Sequence, residues 1–147
     1  MRRLAEQAVE AALAAGASYA DARALIRRSQ RVATKNGRVD GLSDVESEGI
    51  GVRVLVGGAW GFACDRRLSA EGARAAATRA CAFAAAAPGL HDRALAPVEP
   101  REGAYRTRAE IDPFGVSLGD KIALCLRADE ALAAHPAVKV RQAFVRA

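Results

Sequence analysis

Aromatic residues are scarce in this chain: one Trp, two Tyr and four Phe, or 5% of 147 residues. A platform for single-stranded nucleic acid needs rings interleaved with its cations. The arginines, among them Arg27, Arg28, Arg31, Arg66, Arg67, Arg106 and Arg108, stand largely without them. The net charge of +5 and pI near 9.6 therefore speak of solubility, and a nucleic-acid partner is not expected. Long apolar runs are missing too. None approaches the roughly 18 residues of a membrane span, so no membrane partner is expected. The basic start "MRRLAEQAVEAALAAG" is interrupted by Glu6 and Glu10, which does not fit a secretory leader.

Cysteine and histidine are equally sparse. Cys64, Cys81 and Cys125 are odd in number and widely spaced, which fits neither a disulfide framework nor a CxxC metal site. They read as buried, inert thiols in a reducing cytoplasm. His91 and His135 stand outside any HExxH or HExxxH spacing, and a zinc site needs three or four ligands. His135, just before Pro136, reads as a partner for a helix dipole. Ser29, Ser43 and Ser117 lack a GxSxG elbow. The chain carries no GxxxxGK[ST], and Gly49-Ile50-Gly51 opens a strand rather than leading into a helix. No catalytic or cofactor-binding residue is assigned.

What the sequence does have is alanine and glycine. Hydrophobic residues make up 51%, much of it alanine, so closely packed helices around a thin core are expected. Residues 2–15 have helical spacing, with Ala5, Val9, Ala12 and Leu13 on one stripe and Gly16 as C-cap. Ala20, Ala22, Ala24 and Ile26 then alternate with polar neighbours in a strand. Asn36-Gly37 is a hairpin turn signal. The strand after it contains Gly41, which suggests a bulge or an edge. Its alternating Asp44, Glu46 and Glu48 read as a solvated face that discourages edge pairing.

Ile50, Val52, Val54 and Val56 form the clearest alternation, and Gly57-Gly58 reverses the chain. That turn sets Val56 opposite Ala59, Leu55 opposite Trp60, Val54 opposite Gly61 and Arg53 opposite Phe62. The small partners leave room for a close-packed helix. Trp60 and Phe62 share the other face, which is expected to be covered, with both rings in core. Ser69 caps an Ala-rich helix, about 69–87, that Pro88-Gly89 would stop. Ser117 to Asp120 forms a loose capping box for a helix of about 117–134, with Ile122, Cys125, Leu126 and Leu132 as core contacts. A final strand begins in "AVKVRQAFVRA".

The fold expected is α+β: an antiparallel, hairpin-rich sheet with helices packed on it. Residues 1–87 are expected to form a domain, residues 88–112 an extended connector, and residues 113–147 a helix and the start of a strand. A domain seldom stops inside a strand, so the chain is expected to be a piece of something longer.

"GASYADAR" (16–23), "NGRVDGLSDVESEGIGVRVLVGGAWGFAC" (36–64) and "LSAEGARAAATRACAFA" (68–84) resemble the N-terminal domain of the TldD/PmbA family. "DPFGVSLGDKIALCLRADEAL" (112–132) resembles the family's next segment. "AWGFA" and "DPF" lean towards the TldD-like branch. The resemblance implies a zinc metallopeptidase, known also as a modulator of DNA gyrase. Such proteins work in proteolysis and peptide maturation as homo- or heterodimers of family subunits. It also implies that zinc lies on a C-terminal HExxxH domain to which His91 and His135 do not correspond. This chain would then be non-catalytic alone and would help to build the dimer and the cleft for an extended peptide. Arg53, Trp60 and Phe62 are its expected peptide contacts. The alternative is a stand-alone module that binds a protein or peptide without catalysis.

Overall fold

The structure, a computed structural model, describes residues 1–87, 95–99 and 101–147. Its elements in chain order are α1 (Arg2–Ala14), β1 (Tyr19–Lys35), β2 (Arg38–Val56), β3 (Ala59–Asp65), α2 (Ala70–Ala86), α3 (Leu118–Ala133) and β4 (Gln142–Arg146). The four strands form one sheet in the order β3-β2-β1-β4, with antiparallel β1–β4 and β2–β3 ladders. The fold is α+β. The described residues divide into two compact units, 1–27 with 47–100 and 28–46 with 101–147, so the long strands β1 and β2 each serve both. No helix among the described residues is long and apolar enough to cross a membrane.

Local chemistry sets the turns and helix ends. Asn36 and Gly37 take φ of 48° and 76°, and Gly57 and Gly58 take 55° and 79°, the positive pair that a tight hairpin turn requires. At the end of α1, Gly16 at φ 92° lets the Ala17 N–H reach the Ala12 carbonyl and its own N–H reach Leu13. The Ser69 and Ser117 hydroxyls accept the N–H groups of Gly72 and Asp120, which caps α2 and α3. The stop at Pro88-Gly89 and the placement of His91 lie outside the described residues. Residues 95–99 and 101–109 have no regular structure and are exposed.

In the first unit, the inner face of the sheet carries Ile50, Val52 and Val54, each at most 1% exposed. Across from them the register runs Val52–Ala63, Val54–Gly61 and Val56–Ala59. Against these small residues lies α2, whose Ala73, Ala76, Ala77, Ala80 and Ala84 are all buried. The approach is so close that a Cβ on Gly61 would sit 2.1 Å from the Ala80 carbonyl oxygen. On α1 the buried residues are Ala8 and Ala12, with Leu4 and Ala11 partly buried beside them. This corrects the expected stripe: Leu13 is exposed, because α1 meets the core through its smallest side chains. Cys81 is buried against the Ala12 carbonyl, and desolvation pushes its thiol pKa up.

In the second unit, Val32 and Thr34 are fully buried. The buried stripe of α3 is Lys121, Cys125 and Asp129, at i, i+4 and i+8. Of the expected core contacts only Cys125 is fully buried, Ile122 and Leu126 are half-buried, and Leu132 is exposed. The polar pair is tolerated because each has a partner: Lys121 donates to Gln30, and Arg141 donates to Asp129 at 3.0 Å. The Arg141 N–H also donates to the Asn36 side-chain Oδ1, and the Asn36 N–H donates to the Arg141 carbonyl, tying the hairpin tip to the strand end.

Asp44 is not a bare solvated carboxylate. It accepts from Arg28 and from Gln30, and Arg28 also lies 3.7 Å from Glu46. A two-residue turn between Lys35 and Arg38 would by itself put Asp44 on the opposite face from Arg28 and Gln30. Their pairing therefore requires one extra residue in β2 between Arg38 and Asp44, as a bulge would provide, and Gly41 lies in that interval. The Asp112 carboxylate accepts the Phe114 N–H, and Arg28 sits 4.9 Å above the Phe114 ring. The "DPF" stretch thus anchors the approach to α3.

Gly61→Ala should destabilise the protein by roughly 2–3 kcal/mol, because the obstacle is helix backbone that cannot rotate away. Gly41→Ala, with nothing within 4 Å of the added carbon, should change stability by less than about 0.5 kcal/mol. Urea unfolding of the two variants makes the comparison.

Candidate functional site

On the outer face of the first unit the expected cover is missing among the described residues. Trp60 is 45% and Phe62 60% exposed, which corrects the reading of both rings as core. Cys64, two residues on along the same face, is exposed rather than buried. Strand alternation could not separate these cases. It identifies two faces but does not say whether a second layer exists, and here both helices of the unit lie on the inner one.

Arg53 is held from two sides. Its guanidinium pairs with Asp21 at 2.6 Å and stands 5.1 Å from the centre of the Trp60 ring. The Asp21 hydrogen bond leads in raising the Arg53 pKa, so the group stays cationic throughout the accessible range. Tyr19 meets Trp60 edge-to-face at 5.8 Å. Leu55, cross-strand from Trp60, is almost fully buried. Further along, the Phe62 ring lies over Gly51, where a Cβ would come within 3.2 Å of it. Gly49 likewise faces the Asp65 backbone, where a Cβ would come within 2.9 Å of the carbonyl oxygen. These two glycines serve close approach rather than turning, a role the sequence reading missed. The signal for it was the register, which sets Gly51 opposite Cys64 and one step diagonal to Phe62.

Between these side chains lies an open cleft of about 530 Å³, lined by Arg23, Leu25, Glu48, Arg53, Phe62 and Arg66 among others. One end is built by Asp65. Arg67 donates to it from backbone and side chain, and Arg79 reaches from α2 to both Asp65 and the Cys64 carbonyl. Hydrogen bonds from Arg67, then from Arg79, hold the Asp65 carboxyl well below the usual carboxylate range.

Arg53, Trp60 and Phe62, the three expected contacts, are thus brought together on one exposed face. The arrangement offers an apolar floor with charged walls and no nucleophile–base pair. Among the described residues, no group of three or more His, Cys, Asp or Glu side chains is placed to hold a metal ion. The described residues do not fit a zinc site, and no chemistry through zinc is assigned to them. His135 accepts the Ala137 N–H at 3.3 Å, a local turn contact beyond the end of α3.

The fold is shared with three solved structures. A candidate modulator of DNA gyrase from Bacteroides thetaiotaomicron matches with a TM-score of 0.75 at 16% identity, over 99% of this chain and 34% of that one. A second candidate modulator of DNA gyrase, from Thermotoga maritima, matches at 0.61 and 14% identity, over 99% and 35%. TldE from Thermococcus kodakarensis matches at 0.61 and 13% identity, over 98% and 35%. This chain spans about a third of the length of each. No curated protein gives a significant match. Residues 20–84 match the family model described as PmbA/TldA metallopeptidase domain 1. That segment, less than half of the chain, is similar to the first domain of that family.

Folding should record the Asp65 cluster. A carboxylate with a depressed folded-state pKa contributes stability that is present above its unfolded pKa of about 3.9 and is lost as pH falls through the folded value. Thermal melts from pH 7 to pH 2 should therefore show Asp65→Asn with a lower Tm at pH 7 and a shallower decline below about pH 4.

Proposed function

We propose that this chain is the non-catalytic N-terminal part of a TldD-like zinc metallopeptidase, and that its open sheet face holds an extended peptide for cleavage elsewhere in the full-length protein. The observation that carries the reading is the uncovered outer face, where Trp60 and Phe62 stand exposed beside the fixed guanidinium of Arg53. Exposed rings on a rigid strand give large contact area at small entropic cost, as binding hot spots do. The edge of β3 offers further main-chain hydrogen bonds to an added strand. The domain match supports the metallopeptidase context.

The reading extends to assembly and location. Pairing with a second TldD/PmbA-family subunit, alike or different, is supported by apolar side chains left exposed on the helices, Leu13, Phe83 and Leu124 among them. Zinc would belong to the rest of the full-length protein, a hydrolase of the cytoplasm.

Trp60 is the sole tryptophan, so its fluorescence reports directly on the face. Titration with an unstructured peptide should shift its emission, and Phe62→Ala and Arg53→Ala should each weaken binding about 5- to 10-fold. Unchanged affinity in both variants would remove the proposed contacts. With zinc supplied, mass spectrometry should recover the peptide intact; chelator-sensitive cleavage would overturn the non-catalytic assignment.

A further inference from the structure

The charges lining the cleft are not balanced in kind, because half of them are already paired. Arg53 is committed to Asp21. Asp65 is committed to Arg67 and Arg79. Of the remaining lining charges, the side chains of Arg23, Arg66 and Glu48 make no ion pair or hydrogen bond among the described residues. Two uncommitted guanidinium groups thus face one uncommitted carboxylate, and Arg67 and Arg79 add positive charge behind Asp65. The floor between them is Phe62 and Leu25, exposed by 60% and 58%.

The geometry points to an acidic peptide as the occupant: an extended segment in which a Glu or Asp side chain meets Arg23 or Arg66 while apolar side chains two residues away lie on Phe62 and Leu25. This rests on the peptide-holding reading above and adds the substrate class. Guanidinium groups suit carboxylates because they can donate two parallel hydrogen bonds. In an extended ligand, alternate side chains fall on the same side every two residues, about 6.8 Å apart. Acidic and apolar positions can therefore both face the sheet. A basic peptide would leave Arg23 and Arg66 opposed by like charge, with Glu48 alone to receive it.

The test uses the full 147-residue chain and three capped hexapeptides of sequence Gly-X-Ser-Leu-Ser-Gly, with X as Glu, Gln or Lys, so that X and Leu share one side of the extended chain. Binding is followed by Trp60 emission and by calorimetry. The Glu peptide should bind at least tenfold more tightly than the Lys peptide, with Gln between, and the difference should shrink as salt rises from about 20 to 300 mM. The double variant Arg23→Glu/Arg66→Glu should reverse the order; if it fails to fold by circular dichroism, the three peptides on the unaltered chain still decide. Three affinities within twofold of one another, all weakened by Phe62→Ala, would overturn the acidic preference and leave the peptide-holding face intact. No binding by any of the three would overturn both.

Discussion

The first unit depends on how near α2 comes to β3. At Gly61 the helix backbone lies where a side chain would begin, and alanines fill the rest of the contact. Alanine removes little apolar area from water per residue, so an interface of this kind gains instead from density, through many backbone and methyl contacts at van der Waals distance. Such an interface is intolerant in one direction. Added volume has nowhere to go, whereas residues one position along the same strand, pointing the other way, face no such limit. Trp60 and Phe62 occupy those positions. The tight inner face and the bulky outer face are two consequences of one alternation.

That division sets what the outer face can do. Among the described residues of the unit no helix or strand lies over it, so its side chains are fixed mostly by one another. Tyr19, Trp60, Arg53 and Asp21 form a chain of contacts running edge-to-face, cation to ring and cation to carboxylate. An exposed ion pair alone contributes little to stability. Here the pair has a second effect, since a guanidinium held against an indole can no longer swing across the cleft. Gly51 then lets the Phe62 ring lie down on the strand instead of standing off it. The result is a surface with shape, made from a flat sheet by one small residue and one large one.

Much of this was legible in the residues. Two hairpin turns, two capping serines, the β2–β3 register and the glycine opposite Val54 all follow from rules that reach only a few positions along the chain, and the structure has each of them. The distant pairings were not legible. Lys121 meets Gln30 across 91 positions and Arg141 meets Asn36 across 105, so of the stripe expected at Ile122, Cys125, Leu126 and Leu132 only Cys125 is buried, and Lys121 and Asp129 are buried with it. Solvent was the other blind spot. Cys64, Trp60 and Phe62 look like core because their types usually are, and only the one-sided placement of the helices shows otherwise.

A sheet face has a property that a loop-built site lacks: its side chains repeat every two residues along each strand, with the same period as an extended ligand. Tyr19, Asp21, Arg23 and Leu25 form one such row, and Trp60, Phe62 and Cys64 another. A ligand strand laid along them meets like spacing at successive positions without the sheet having to move. Specificity must then come from which side chains stand in the rows rather than from the backbone, which would hold any sequence equally. The rows combine rings with Arg23, which makes no ion pair among the described residues, and Arg53 stands buttressed between them, so in the proposed peptide-holding role charge would be the discriminating element, set on a scaffold whose own geometry is indifferent to it.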